Sequence, residues 1–333
     1  MIKLLLAVVV LLAVGCTEAV RAEIHNEEDV RLFMDEMVEK HGFDRDYLVS
    51  ILSQARVSDT ILQAISRPAE AMPWYRYRPI FLRTDRIRLG ADFIRQHKDT
   101  LARAEREYGV PPEIIAAIIG VETRYGQNTG SYKVIDALVT LGFKFPRRAP
   151  FFRSELEQFL LLTREQQVDP HSVKGSYAGA MGIPQFISSS YRHYAIDFDG
   201  DGFIDIWNNP VDAIGSVANY FKVHGWQHGE KVAVKAYASD DRYKELIAPG
   251  LELDTAKNTL AHYGITADVD HNSEEQIKLL SYELEDGEEI WIGFRNFYAI
   301  TRYNRSILYA MAVFQLANEI SREYGTGIVS RQD

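Results

Sequence analysis

The stretch that most constrains this chain of 333 residues is 111–126, PPEIIAAIIGVETRYG. Pro111 and Pro112 stand where a helix starts, because the first turn leaves its N–H groups without intrahelical partners and a proline there forgoes nothing. Ile114, Ile115, Ala116, Ala117, Ile118, Ile119 and Val121 follow without a polar interruption. A helix apolar on every side belongs inside a protein, so the fold must wrap other elements around it. Glu122 closes the run, and Gly126 is placed to end the helix in a left-handed cap. Burial disfavours a charged carboxylate, and so does the negative end of a helix dipole. Both raise the pKa of Glu122 from about 4.3 toward the range in which a glutamic acid donates a proton at neutral pH. The alternative is a surface glutamate just beyond a core helix, and the rest of the chain weighs against it.

The amino end reads as an export signal. Lys3 precedes an unbroken apolar run over 4–14, too short to span a bilayer, which needs ~20 residues, but the length of a signal h-region. The single cysteine, Cys16, follows directly in LAVGC. This resembles a bacterial lipobox, with Ala13 where leucine is most common. Residues 1–15 are therefore expected to be a lipoprotein signal peptide, Cys16 a lipid-modified first residue, and 16–27 a tether. An ordinary signal with a chance cysteine is the alternative. One cysteine allows no internal disulfide, so the fold rests on its core, for which a hydrophobic content of 46% with 25% charge suffices. The net charge of −10 argues against a nucleic-acid partner.

From Glu28 the pattern turns helical, with Val30, Phe33, Met34, Met37 and Val38 on one face. Two or three short helices follow up to residue 65, and Pro68 and Pro73 end that bundle. Residues 72–82, MPWYRYRPIFL, are expected to be irregular because of their prolines. Their aromatic rings suit either stacking on sugars or plain packing. One long helix is expected over 85–108, others over 134–141, 153–163 and 211–224, and another over 297–319. Small residues crowd 175–185, GSYAGAMGIPQ, where backbone can approach a ligand closely. Short β-like runs within 230–293 mark a small β-containing module.

The sharpest local pattern is DFDGDGFIDIWN, residues 197–208. Asp197, Asp199, Asp201 and Asp205 fall at positions 1, 3, 5 and 9 of a calcium loop, Gly202 takes the sharp turn at position 6, and Phe203 offers its backbone carbonyl. Asn208 replaces the bidentate glutamate at position 12, so affinity should be weaker than in a sensor site unless a residue such as Asp212 helps. A charged surface turn is the alternative. The expected ion is structural calcium, replaceable by sodium. Nothing else signals metal, phosphate or nucleotide chemistry: there is no HExxH, GxSxG, phosphate loop or dinucleotide fingerprint. His171 and His193 lack partners at a telling spacing.

GVETRYG, GSYAGAMGIPQF, the acidic loop, PVDAIGSVANYFKVHGW and ITRYN, in this order, resemble the membrane-bound lytic transglycosylase B family of bacterial cell-wall enzymes, over about 28–324. The resemblance implies a mainly α (α+β) fold whose core is similar to goose-type lysozyme. It implies an α domain (28–75 and about 140–172), a catalytic core (76–139, 173–229 and 294–325) and a β domain (230–293). Glu122 is implied as the sole catalytic acid. Ser176 and Gln185 are implied to hold the muramyl N-acetyl group and its surroundings, Tyr77, Tyr220, Tyr303, Asn304 and Tyr309 to line the cleft, and Arg147 and Arg148 to bind saccharide or stem peptide. Ile183 and Pro184 depart from the pair found before this glutamine in the best-known member. The partner implied is a peptidoglycan glycan strand, attacked by a periplasmic, lipid-anchored monomer, with the outer membrane favoured because Thr17 follows Cys16 where an aspartate would signal inner-membrane retention. The reaction implied is non-hydrolytic cleavage of the β-1,4 bond between N-acetylmuramic acid and N-acetylglucosamine, leaving a 1,6-anhydromuramyl end. Two other functions stay open: a hydrolase of the same bond, and a non-catalytic wall-binding lipoprotein.

Overall fold

The computed structural model describes residues 27–66 and 72–329; the signal segment, Cys16 and the tether up to residue 26 lie outside the described residues. The chain divides into two compact units. The first, up to Gln54, holds α1 (Glu28–His41) and α2 (Arg45–Leu52). Gly42, left-handed at φ 63°, caps α1, and the Asp44 carboxylate caps α2 by accepting from the Tyr47 N–H. The expected apolar face of α1 is buried at Val30, Phe33, Met34 and Met37.

The second unit runs on through α3 (Asp59–Ile65), α4 (Trp74–Phe81), α5 (Thr84–Gln96), α6 (Lys98–Tyr108), α7 (Pro112–Thr123), β1 (Tyr132–Lys133), α8 (Val134–Lys144) and α9 (Ala149–Glu165). Then come β2 (Lys174–Gly175), α10 (Ser188–Tyr194), α11 (Pro210–Val223), β3 (Ala233–Ala238), β4 (Thr255–Ala256), β5 (Ile265–Ala267), β6 (Gln276–Glu283), β7 (Glu288–Gly293), α12 (Arg295–Tyr303) and α13 (Ile307–Val329). The protein is mainly α with a small β part, as its sequence implied.

The helix read as wholly buried is buried along its middle, with Val121 half-buried. In α7, residues 114–120 are all buried, and α5, α6, α11 and α13 pack around it. Seven residues out of water, at about 25 cal/mol per Å² of apolar surface, make this helix the axis of the core. The sheet runs β4-β6-β7-β3-β5, antiparallel throughout, with Leu280 opposite Trp291 in the β6–β7 pair. Alternation along β6 splits its faces. Ile277 and Leu279 join a small core with Ile290, Ile292 and Leu260, whereas Leu280 and Tyr282 join the α7 core.

Three expectations are corrected. Residues 74–81 are helical despite Pro79. An interior proline costs about 3 kcal/mol, but Trp74 and Tyr77 are buried, Trp74 packing 5.1 Å from Tyr282 and Tyr77 5.1 Å from Phe81. Burying two such rings, at about 2 kcal/mol or more each, offsets that cost. The helix expected over 85–108 breaks at His97 (φ −112°, ψ 27°). That expected over 297–319 breaks at Asn304, which is extended at φ −139°, and restarts after Ser306, whose side chain accepts from the Tyr309 N–H at 3.3 Å.

Candidate active site and cation loop

Glu122 is the penultimate residue of α7, and the helix ends sooner than its sequence implied. Arg124 (φ 51°) and Tyr125 (φ 61°) are left-handed ahead of Gly126. Two consecutive non-glycine residues in this region cost roughly 1–2 kcal/mol each. Their side chains hold the turn. Arg124 pairs with Asp85 at 2.8 Å, and the Tyr125 hydroxyl donates to the Arg86 carbonyl at 2.9 Å. Tyr125 thus turns away from Glu122. Its ring occupies the space over Gly90 and Gly120, where an added Cβ would come within 2.5 Å of its hydroxyl oxygen. That close approach explains a glycine in the middle of a core helix.

One polar contact reaches the Glu122 carboxyl: the Tyr309 hydroxyl donates to its Oε1 at 2.6 Å. The residue keeps a partly open surface, but its carboxyl is surrounded by protein, and the surroundings of the carboxyl decide its solvation. Burial pushes its pKa up to about 7, against the Tyr309 hydrogen bond, which favours the ionised form. No charged group contributes to that shift, so no second carboxylate acts on Glu122 among the described residues. Tyr303 and Tyr309 are held far above the ordinary phenol range, first by burial and next by the negative charge of Glu122. Both remain hydrogen-bond donors at any physiological pH.

The rest of the implied cleft divides into groups. The Tyr303 hydroxyl donates to the Pro184 carbonyl and the Tyr220 hydroxyl to the Arg302 carbonyl, each at 2.6 Å, with the two rings edge-to-face at 4.8 Å. Tyr77 is buried near enough to act on Tyr309. Asn304 sits in the break between α12 and α13, its carbonyl accepting from the Ser306 N–H at 2.7 Å. Ser176 Oγ accepts from the Ala178 and Ala180 N–H groups at 3.2 and 3.0 Å, and Gln185 Nε2 donates to the carbonyls of Thr129 and Gly182 at 3.0 and 2.9 Å. Arg147 and Arg148 lie exposed between α8 and α9, Arg148 over the Phe151 ring at 4.4 Å. They form no hydrogen bond with the Glu122 group.

Thr123, which the sequence reading passed over, ties these parts together. It is buried, its hydroxyl donates to the Ile183 carbonyl at 2.9 Å, and it accepts from the Gly126 N–H at 3.0 Å. Ile183 in turn donates its N–H to the Ile206 carbonyl at 2.8 Å. The helix end that carries Glu122, the Gln185 loop and the acidic loop are therefore one hydrogen-bonded unit. The small residues of 175–185 serve this assembly: a Cβ on Gly175 would come within 2.2 Å of the Ala180 carbonyl oxygen, and one on Gly182 within 2.5 Å of that of Ile206. Their closest approaches are to backbone, not to the space over Glu122.

In the acidic loop, Asp197 accepts from the N–H groups of Gly200, Asp201 and Gly202, and Asp201 from that of Phe203. The Asp205 carboxylate turns to the N–H groups of Trp207 and Asn208, each at 2.9 Å. Carboxylate oxygens of Asp197, Asp199 and Asp212 lie within 4.8 Å of one another, so Asp212 is the further acid that the fold brings to the loop. Asp212 is buried and fixed by the N–H groups of Phe198 and Asp205, each at 2.8 Å, and burial raises its pKa. Clustered hard oxygens, one of them on a buried acid, fit calcium.

A family model described as the transglycosylase SLT domain matches residues 25–318. The chain is 46% identical over 310 residues to membrane-bound lytic murein transglycosylase B of Escherichia coli strain K12, covering 89% of this chain and 83% of that protein. Among solved structures, the catenated lytic transglycosylase SltB1 from Pseudomonas aeruginosa superposes with a TM-score of 0.86 at 51% identity, covering 90% of this chain and 98% of that one. An Escherichia coli lytic transglycosylase solved in complex with calcium superposes with a TM-score of 0.83 at 47% identity, covering 90% and 94%.

Proposed function

The chain belongs to the SLT transglycosylase family and is a lytic murein transglycosylase acting on peptidoglycan, and from that premise we propose that Glu122 alone supplies its acid and its base. The observation that carries this reading is the Glu122 carboxyl itself, enclosed, with a pKa near 7 and no second carboxylate acting on it. Two-acid glycosidases place a carboxylate pair astride the bond. A site with one suits a substrate that brings its own nucleophile. Protonated Glu122 gives its proton to the oxygen of the β-1,4 bond between N-acetylmuramic acid and N-acetylglucosamine. Ionised Glu122, steadied by the Tyr309 hydroxyl, then takes the proton from the muramyl C6 hydroxyl as that oxygen closes on C1. The bond to the leaving sugar is replaced by an internal one, and the product is a 1,6-anhydromuramyl end. Intramolecular attack is favoured by its high effective molarity.

Ser176 and Gln185, fixed by the loop contacts described, present themselves to the N-acetyl group, with Tyr77, Tyr220, Tyr303 and Asn304 lining the cleft. Arg147 and Arg148 would serve more distant saccharide or peptide groups. The core segments hold these residues except Arg147 and Arg148, which belong to the α domain, and the sheet of 230–293 packs onto that core through Leu280 and Tyr282. Digestion of purified glycan strands is expected to yield fragments lighter by one water than hydrolysis products. Masses that include that water would overturn the proposal in favour of a muramidase-type hydrolase.

Calcium is proposed at Asp197, Asp199 and Asp212, supported by the grouping of their oxygens and by the calcium complex of the E. coli relative. An ion bound only by the folded state stabilises it by about 2.7 kcal/mol at a hundredfold excess over Kd. The melting temperature is therefore expected to rise on adding calcium, and Asp197→Ala with Asp201→Ala to remove that response. A wild-type melting temperature indifferent to calcium would identify the loop as a solvated turn or as the site of another ion. The Cys16 lipid anchor and a periplasmic, outer-membrane placement of the monomer are supported by the signal-like amino end and by the membrane-bound relative. No described helix is long and apolar enough to cross a membrane.

A further inference from the structure

A cavity of about 510 Å³ opens beside the acidic loop, away from Glu122, lined by Gln166, Lys174, Phe203, Trp207 and Asn208 among others. It backs onto the Gln185 loop. Thr129, in its wall, is the residue whose carbonyl accepts from Gln185 Nε2. We propose that this cavity is a second saccharide site, taking an amino-sugar unit that bears a free carboxylate.

Aromatic surface is the first ground. Phe203 leaves 67% of its surface in water at the rim, so its ring face is open to stack on a ligand. Trp207 packs on Tyr191 at 5.4 Å, and its indole N–H is enclosed without an acceptor. A buried donor left unpaired costs about 1–3 kcal/mol, and the residue that carries it lines the cavity, so a ligand acceptor that draws the indole edge toward the cavity would relieve that cost. The CH face of a pyranose suits the rings, and the volume lies within the range of small-ligand pockets.

Charge is the second ground. Lys174 is the cation of the lining, exposed and with no ion pair among the described residues. The lining's acid, Asp205, is already engaged by two backbone N–H groups and by the Asn208 amide at 3.3 Å. The cavity therefore holds one positive and one negative side chain, and of the two it is the exposed Lys174 that can meet a ligand's carboxylate. Asn208 itself stands where a calcium loop would carry its last ligand. Its amide N–H donates to Asp205 at 3.3 Å, and its side chain lines the cavity. Cation, amides and aromatic faces together describe a site for an acidic amino sugar. Resting on the murein reading, the inference names the muramyl unit, whose lactyl carboxylate is free wherever the stem peptide has been removed. A second grip on the same polymer would hold peptide-free strands near the cleft.

The test is titration of the ¹⁵N-tryptophan-labelled full chain with peptide-free N-acetylglucosaminyl-N-acetylmuramic acid, which has no bond for the enzyme to cut. The four tryptophans give four indole signals, and Trp207→Phe identifies the one of interest. That signal is expected to shift with a Kd in the low millimolar range, as for a single weak site. Lys174→Ala, or replacing the sugar by neutral chitobiose, should weaken the binding about tenfold. Turnover of short soluble strands by Lys174→Ala should equal wild type, whereas turnover of peptide-free insoluble wall should fall. A Trp207 signal unmoved at ~20 mM sugar, or a shift indifferent to both controls, overturns the proposal while leaving turnover, and with it the murein reading, intact. Loss of the murein reading would instead appear as absent turnover in the wild-type chain.

Discussion

Glu122→Gln is expected to give a folded protein that still binds glycan strands but turns them over about 10³–10⁴-fold more slowly, the scale of a lost general acid and base. The amide has the same shape and can still accept from the Tyr309 hydroxyl, so the 2.6 Å contact need not be lost. What it lacks is a proton to give and, after cleavage, a charge with which to take one. Because one residue serves both steps, no partner rescues either. A variant that keeps more than a few per cent of wild-type turnover would show that some other group carries the chemistry. Folding can be checked independently, and the sign is informative. The folded pKa of Glu122, about 7, lies above its ordinary 4.5, so the folded state keeps this proton longer than the unfolded chain. Its contribution to stability is complete below pH 4.5 and is lost as pH rises through 7. The full shift corresponds to about 3 kcal/mol, and nearer 1–2 after allowance for the side open to solvent. Glu122→Gln should therefore match wild type in melting temperature at pH 4.5 and exceed it at pH 8.

The sequence was legible where one pattern decided the outcome. The unbroken apolar run of 114–121 reads as a buried helix, which the structure bears out over 114–120, whereas for Glu122 at its end the run alone leaves an enclosed and a surface carboxyl both open. The mainly helical fold and the β strands before residue 293 followed from periodicity in the same way. Breaks inside a continuous pattern were not legible. The apolar spacing runs straight through His97, so a one-residue interruption between α5 and α6 leaves no trace in it. At Asn304 a signal was present, since Ser306 is a good helix cap, but the apolar residues on both sides outvoted it. Pro79 misled in the opposite sense, because burial of Trp74 and Tyr77 outweighs a local rule. In the site, Asp212 and Thr123 act through contacts to Asp205 and Ile183. The reach of a hydroxyl across 60 residues of chain cannot be read from spacing, although a buried threonine after a terminal glutamate hints at a tether.

The alkaline limb of the pH–rate profile is the second large effect. Cleavage begins with proton donation, so only enzyme with neutral Glu122 is competent, and kcat/KM on soluble strands is expected to fall tenfold per pH unit above about 7. Tyr309 does not set this limb by titrating, because burial holds its own pKa far higher. It acts through its hydrogen bond to Glu122, which favours the ionised form and holds the pKa below what burial alone would give. Tyr309→Phe keeps the ring and deletes that bond, so two changes should appear together. The limb should move to higher pH, since the proton is held more tightly. The plateau rate should drop, since the ionised carboxylate that must act as base loses its support. A purely packing role for Tyr309 would lower the plateau without moving the limb. A limb that stayed in place in Tyr309→Phe, or that was absent in wild type up to about pH 9, would mean that the acid is not the Glu122 carboxyl in this enclosed, singly hydrogen-bonded state.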